Sequence, residues 1–211
     1  MAKTKQKILD QARRLFNEHG YGQVTIRMIA SALAMSSGNL NYHFRKREDI
    51  LEALYFEMVA VFDQRVQGLV VSQVTLATLQ AEVQTSMERM VAYRFFWTDL
   101  YFILKSNPSI KAHFTQARAE RLRGYRLLFD FFIQQGLLHP PSFPTEYPLL
   151  MDRLIDYSNT WLYASELYER EEESQALIRR AAFHLLSMLY PYLSPAGQRD
   201  FRNLFPTLLR N

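Results

Sequence analysis

Between Thr25 and Arg47 the chain gathers side chains that can hydrogen-bond to a polyanion: Thr25, Arg27, Ser36, Ser37, Asn39, Asn41, Tyr42, His43, Lys46 and Arg47. Hydroxyl, amide, phenol and imidazole groups donate to phosphate oxygens or to the edges of bases, and Arg and Lys add fixed positive charge. Gly38 lies among them and permits a close backbone approach. Their spacing decides which of them face outward together. On a wheel of roughly 100° per residue, a short helix from about Ser37 to His43 turns Leu40 and Phe44 inward. Gly38, Asn39 and Tyr42 then point outward, with Asn41 and His43 on the flanks, and that face holds no carboxylate. Thr25 and Arg27 open a preceding helix, where unpaired N–H groups and the helix dipole favour a phosphate. Thr25 serves equally well there as a simple cap, and His43 can pack at the end of its helix instead of touching a ligand.

The elements that position these residues read as helices. Ile8, Leu9, Ala12, Leu15 and Phe16 form the stripe of a first helix, which ends at His19-Gly20-Tyr21-Gly22. Thr25 caps a second, with Ile26, Ile29, Ala30 and Leu33 on its apolar face; Ala34-Met35 makes the turn, and Ser36-Ser37 starts the third. A long fourth helix is expected from about Lys46 to Val71, followed by helices near 75–92, 94–105 and 108–135. Asn107-Pro108 is a stop-and-restart signal, with Asn107 as cap and Pro108 at the first helical position. The loop His139–Pro144 holds three prolines. Helices over about Thr145–Tyr168 and Ser174–Tyr190 follow, separated by an acidic turn at Glu169–Glu173, and Ser194-Pro195 starts a short last helix. The fold class is all-α: a three-helix helix-turn-helix head over residues 1–47, then a larger helical body over 48–211.

Charge divides along the same line. Residues 1–47 hold nine Lys/Arg against two acids, a net of +7, and the remainder holds sixteen basic and nineteen acidic residues, a net of −3. A basic head on a slightly acidic body suits a head that meets a polyanion, although a basic solvated face without a partner has the same composition. Lys3, Lys5 and Lys7 read as an arm with non-specific phosphate affinity.

Other classes of function lack their residues. The chain has no cysteine, no Gly-rich phosphate loop, no H-E-x-x-H and no G-x-S-x-G, and its five histidines are scattered without ligand spacing. Neither an enzyme, a metal site nor a cofactor is expected. The basic start runs into an amphipathic segment rather than a signal peptide, and no run of apolar residues is long enough to span a bilayer, so a cytoplasmic location is expected.

The run Thr25-Ile26-Arg27-Met28-Ile29-Ala30, with Ser36-Ser37-Gly38-Asn39-Leu40-Asn41-Tyr42-His43-Phe44-Arg45-Lys46-Arg47 and Ile50, resembles the TetR-family DNA-binding head. That pattern runs T-x-x-x-I-A, then G-x-S-x-G-x-L-Y-x-H-F-x-x-K-x-x-L. Ala12-Arg13-Arg14-Leu15-Phe16 and Gly20-Tyr21 match its first helix. Three positions depart. Ala34 replaces the usual turn glycine, Asn41 replaces a common tyrosine and offers an amide able to pair with adenine, and Arg47 replaces lysine while keeping the phosphate-binding charge.

The resemblance implies a DNA-binding regulator, a repressor by the family's usual sign, which dimerises and is released from a palindromic operator by a small effector. A regulator without an effector, controlled by a protein partner or by its own abundance, is the alternative. Leu150, Leu154, Tyr157 and Trp161 on one helix and Ala181, Leu185 and Leu189 on the next form apolar faces, either a four-helix dimer interface or ordinary core. The aromatic residues Tyr93, Phe96, Trp97 and Tyr101, and again Phe129, Phe132 and Trp161, would line a pocket for an apolar or aromatic effector or else fill the core. Arg94, Asp99 and Lys105 are available for the polar end of such a ligand.

Overall fold

A computed structural model describes residues 2–68, 74–168 and 174–206, so the acidic turn expected at Glu169–Glu173 lies outside the described residues. The helices are α1 (Ala2–His19), α2 (Ile26–Ala32), α3 (Ser37–His43), α4 (Arg47–Gly68), α5 (Leu76–Ala92), α6 (Arg94–Thr98), α7 (Leu100–Ser106), α8 (Pro108–Gln134), α9 (Glu146–Leu167), α10 (Ser174–Ser187) and α11 (Pro195–Leu204). Short 3-10 turns occupy Tyr21–Gln23 and Tyr190–Tyr192. Among the described residues the only extended pairing outside helices is an isolated bridge between Leu138 and Leu193. None of the described helices is long and apolar enough to cross a membrane.

Most helices begin and end on local chemistry. Thr25 Oγ1 accepts the Met28 N–H at 3.3 Å, and Ser36 Oγ accepts the Asn39 N–H at 3.2 Å, so α2 and α3 both start on hydroxyl caps. Gly136 ends α8 at φ +67°, a left-handed value that suits glycine. Three expectations differ. Lys3, Lys5 and Lys7 belong to α1 rather than to an arm, and Lys5 Nζ lies 5.1 Å from the centre of the Phe44 ring. The helix expected over 94–105 is broken at Asp99, whose carboxylate accepts the Tyr21 N–H at 2.9 Å. Asn107 does take the cap position before Pro108, its carbonyl accepting the Lys111 N–H at 3.0 Å, while its side-chain amide donates back to Ile103 O at 2.9 Å. α10 stops at Ser187, short of Tyr190, and the chain passes into a 3-10 turn containing Pro191, which has no N–H to continue an α-helix.

Two compact units result, Met1–Gln67 with Ala92–Phe114 and Gly68–Val91 with Thr115–Asn211. The first therefore reaches past residue 47, the expected edge of the head, and takes in α6 and α7. Its core combines Ile8, Ala12 and Phe16 of α1 with Ile29 of α2, Leu40 of α3, Ile50 and Leu54 of α4 and Phe95 of α6, all buried. Asn17 ties α1 to the break between α5 and α6: its amide donates to Ala92 O at 3.0 Å and its oxygen accepts the Phe95 N–H at 3.2 Å.

In the second unit Phe129, Phe132, Leu150, Leu154, Ile155, Trp161, Ala182 and Leu186 are buried. Its C-terminal helix is held by Ser194, whose N–H reaches Leu137 O at 2.9 Å and whose hydroxyl reaches Gly136 O at 2.6 Å. Gly197 then passes so near that a Cβ there would lie 2.4 Å from Leu137 O. Only glycine fits that approach.

Candidate nucleic-acid interface

α2 and α3 have seven residues each, too few to be stable alone, so tertiary packing holds them. Ile29 and Leu40 anchor them inward without exposed surface. The turn between them closes by Met35 N–H to Ala30 O at 2.9 Å and Ala34 N–H to Ser31 O at 3.0 Å, the paired bonds of a helix end finished by one left-handed residue. That residue is Ala34, at φ +51°. The turn thus keeps its geometry without the glycine, and alanine is strained there by about 1–2 kcal/mol. Ala34→Gly relieves that strain but loosens the unfolded chain by about 0.4–1 kcal/mol. A net gain of roughly 0.5–1 kcal/mol is expected, read as a higher denaturant midpoint; a lower midpoint would show that alanine is not strained in this turn.

The outward face of α3 is the one expected. Tyr42 is 72% exposed, and Gly38, Asn39 and Asn41 are exposed beside it, while Ser37 and His43 are half-buried. The Tyr42 and His43 rings stand edge to face at 5.4 Å. Thr25, Arg27, Ser36, Arg45 and Lys46 are exposed as well. Thr25 and Ser36 accept a backbone N–H each as caps, which leaves their hydroxyl protons able to donate to phosphate. Lys46 stands at the start of α4, its N–H bonded to Asp49 Oδ2 at 3.2 Å, with its ammonium in solvent.

Arg47 behaves differently from the free cation read in the sequence. Its Nη1 donates to three backbone carbonyls of the loop between α1 and α2: Val24 at 2.9 Å, Tyr21 at 3.0 Å and Gly22 at 3.3 Å. The guanidinium lies 4.2 Å from the centre of the Tyr21 ring, its Nη2 is 3.7 Å from Glu48, and the side chain is 23% exposed. Burial pushes the Tyr21 phenol pKa up, with the Arg47 charge pulling it down and the Glu48 carboxylate pushing it up. Asp99, considered above for a ligand's polar end, is spent on this loop too. Sequence reasoning missed Asn17 as well, because its partners lie 75 and 78 residues away.

The expected contacts of the body are mostly interior. Tyr93 donates to Glu57 Oε1 at 2.5 Å, with Arg13 over its ring at 5.1 Å. Phe96 packs among Tyr55, Trp97 and Phe114, all within the first unit. The buried Trp97 Nε1 has no hydrogen-bond partner among the described residues. Tyr101 is a correction: at 79% exposure it faces solvent, with Lys105 Nζ 5.9 Å from its ring centre. In the second unit Phe129 meets Tyr147 at 5.1 Å, Phe132 is core, and Trp161 Nε1 points at Met90 Sδ at 3.3 Å.

Leu150, Leu154, Trp161, Ala181, Leu185 and Leu189 are also buried within the single chain, and Tyr157 is half-buried. Side chains already covered by their own chain have almost no surface to give a partner. The outer stripe of α9 consists instead of Leu149, Arg153, Asp156, Thr160, Tyr163 and Leu167, all exposed.

Comparison with known proteins agrees with this architecture. The description "Bacterial regulatory proteins, tetR family" matches residues 8–54, and "Bacterial transcriptional repressor" of the TetR type matches residues 57–201. The chain belongs to the TetR family. Its helix-turn-helix is therefore that of a family of transcription regulators rather than of catalysts. The HTH-type transcriptional repressor Rv1474c of Mycobacterium tuberculosis is 41% identical over 54 residues, covering 26% of this chain and 29% of that protein. The HTH-type transcriptional repressor AcnR of Corynebacterium efficiens is 30% identical over 112 residues, covering 48% of this chain and 60% of that protein. Both matches thus span less than two thirds of the relative's length. A TetR-family regulator from Marinobacter aquaeolei VT8 has the same fold, with a TM-score of 0.84 at 24% identity over 95% of this chain and 96% of that one. A Saccharomonospora viridis regulator in complex with choline aligns at a TM-score of 0.66 and 22% identity, over 92% and 100% of the two chains.

Proposed function

We propose that this TetR-family protein is a homodimeric repressor that binds a palindromic operator through α3 of each protomer and is released by a small apolar or aromatic effector. One observation carries the DNA reading. The exposed face of α3 presents Gly38, Asn39, Asn41 and Tyr42 with no carboxylate, flanked by Thr25, Arg27, Ser36, Ser37, His43 and Lys46. Base edges are met by the amides and the phenol, and phosphates by the helix start and the cations. The sign of regulation follows the repressors to which the head is similar.

The dimer surface is assigned to the outer stripe of α9, whose spacing of four and three residues repeats along the helix. An antiparallel pair with its two-fold axis near Ser158 is self-complementary, as an isologous contact requires. Leu149 faces the partner's Leu167, Arg153 faces the partner's Tyr163, and Asp156 faces the partner's Thr160. The effector reading rests on the buried Trp97 Nε1, a donor for a ligand's acceptor atom among the Phe96 and Phe114 rings. The Saccharomonospora viridis regulator of similar fold, in complex with choline, supports this reading.

Selection of bound duplexes from a random pool tests the reading. An inverted repeat with half-site centres about 10–10.5 bp apart, or a multiple of that, is expected. A Leu149→Glu/Leu167→Glu variant, changed only at exposed positions, should run as a monomer and lose the repeat. Failure to enrich any sequence would remove the DNA reading. A variant that stays dimeric would remove the α9 interface.

A further inference from the structure

We infer that Arg47 is a positioning residue for the recognition helix rather than a phosphate contact, and that with Asp99 it holds the Tyr21–Val24 loop from which α2 starts. The loop is gripped by opposite charges. On one side a guanidinium nitrogen takes the carbonyls of Tyr21, Gly22 and Val24 at 2.9–3.3 Å. In addition, the Asp99 carboxylate takes the Tyr21 N–H at 2.9 Å. Tyr21 itself is buried, edge to face with Phe16 at 5.2 Å and under the Arg47 guanidinium at 4.2 Å. The residue after Val24 is Thr25, the cap of α2. Neither α2 nor α3 is long enough to hold its own direction, so the point from which α2 departs sets the direction of α3 as well.

With Nη1 spent on these carbonyls, a phosphate would have to be met by Nε and Nη2, and Nη2 stands 3.7 Å from the Glu48 carboxylate on a side chain that is only 23% exposed. Lysine supplies the charge but not the planar fork that stacks on Tyr21 while donating along the loop. Phosphate contact and positioning therefore make opposite demands on the conservative replacement. This inference rests on the head binding DNA as proposed above.

The test uses the full-length protein, a duplex enriched by the wild type from a random pool, and a random-sequence duplex as the non-specific probe. Both affinities are measured between 50 and 200 mM salt for the wild type, Arg47→Lys and Asp99→Ala, with amide hydrogen exchange over residues 21–28, in the range of concentrations where phosphate contacts dominate the salt response. In Arg47→Lys the specific affinity should fall about tenfold, while the non-specific affinity and the salt slope stay as in the wild type. Asp99→Ala separates the two roles by sign: removing a negative charge favours DNA electrostatically, yet positioning requires weaker specific binding. Exchange over residues 21–28 should accelerate in both variants. Wild-type affinity in Arg47→Lys, tighter specific binding in Asp99→Ala, or unchanged exchange would each overturn the inference. An equal loss on both duplexes would also overturn it, since a merely structural role predicts that outcome. If the wild type enriches no duplex, the DNA reading fails, and the exchange measurement still decides whether Arg47 and Asp99 order the loop.

Discussion

Tyr42→Ala is expected to weaken binding to the selected operator ten- to a hundredfold per half-site while leaving the melting temperature unchanged. A well-made contact to a base edge contributes about 1–3 kcal/mol of discrimination, and a dimer presents the residue twice. The phenol is 72% exposed, so removing it exposes no core, and changes at such surface positions stay within about 0.5 kcal/mol of neutral. Non-specific affinity should change little, because it depends on the neighbouring cations. Binding and thermal denaturation of the same preparation check the result. Equal affinities for Tyr42→Ala and wild type on the selected duplex would move the reading face away from this side of α3.

Leu40→Ala, two positions earlier on the same helix, should do the reverse at the level of mechanism. Leu40 has no exposed surface, and truncating a buried leucine costs about 2–5 kcal/mol in lost transfer energy and cavity. A helix of seven residues has no reserve of its own against that loss. The melting temperature should drop by several degrees, at about 2–4 °C per kcal/mol for a chain of this size, and DNA binding should be lost with the fold of the head. Adding back stability through Ala34→Gly should recover part of the binding of Leu40→Ala and none of that of Tyr42→Ala. The pair separates what α3 reads from what holds it in place.

The parts of the head that depend on neighbours three or four residues apart were legible in the chain. The caps at Thr25 and Ser36, the inward pair Leu40 and Phe44, and the outward Asn39 and Tyr42 are all consequences of helical period. The left-handed backbone of Ala34 was not legible, because alanine in place of the usual turn glycine left the shape of the turn open until the structure put it at φ +51°. The partners of Arg47 were not legible, because sequence specifies its charge but not the carbonyls it meets, which lie 23 to 26 residues back in the chain. Asn17 was missed, and Asp99 was assigned to a ligand instead of the Tyr21 N–H, for the same reason over longer separations. On α9 both faces carry apolar residues: Leu150, Leu154 and Trp161 turn inward, while Leu149, Tyr163 and Leu167 turn outward. Periodicity identifies such a helix without saying which stripe its own chain covers.

The sequence by itself determined an all-α chain with a basic helix-turn-helix head, because helix period, caps and charge partition are short-range properties of neighbouring residues. Only the tertiary structure decided which cations stay in solvent, which aromatic rings are core, and which stripe of α9 its own chain leaves exposed. Those outcomes depend on contacts between residues far apart in the chain, where local spacing carries no information. Arg27 and Lys46 stay in solvent, whereas Arg47 is drawn onto the loop of its own head.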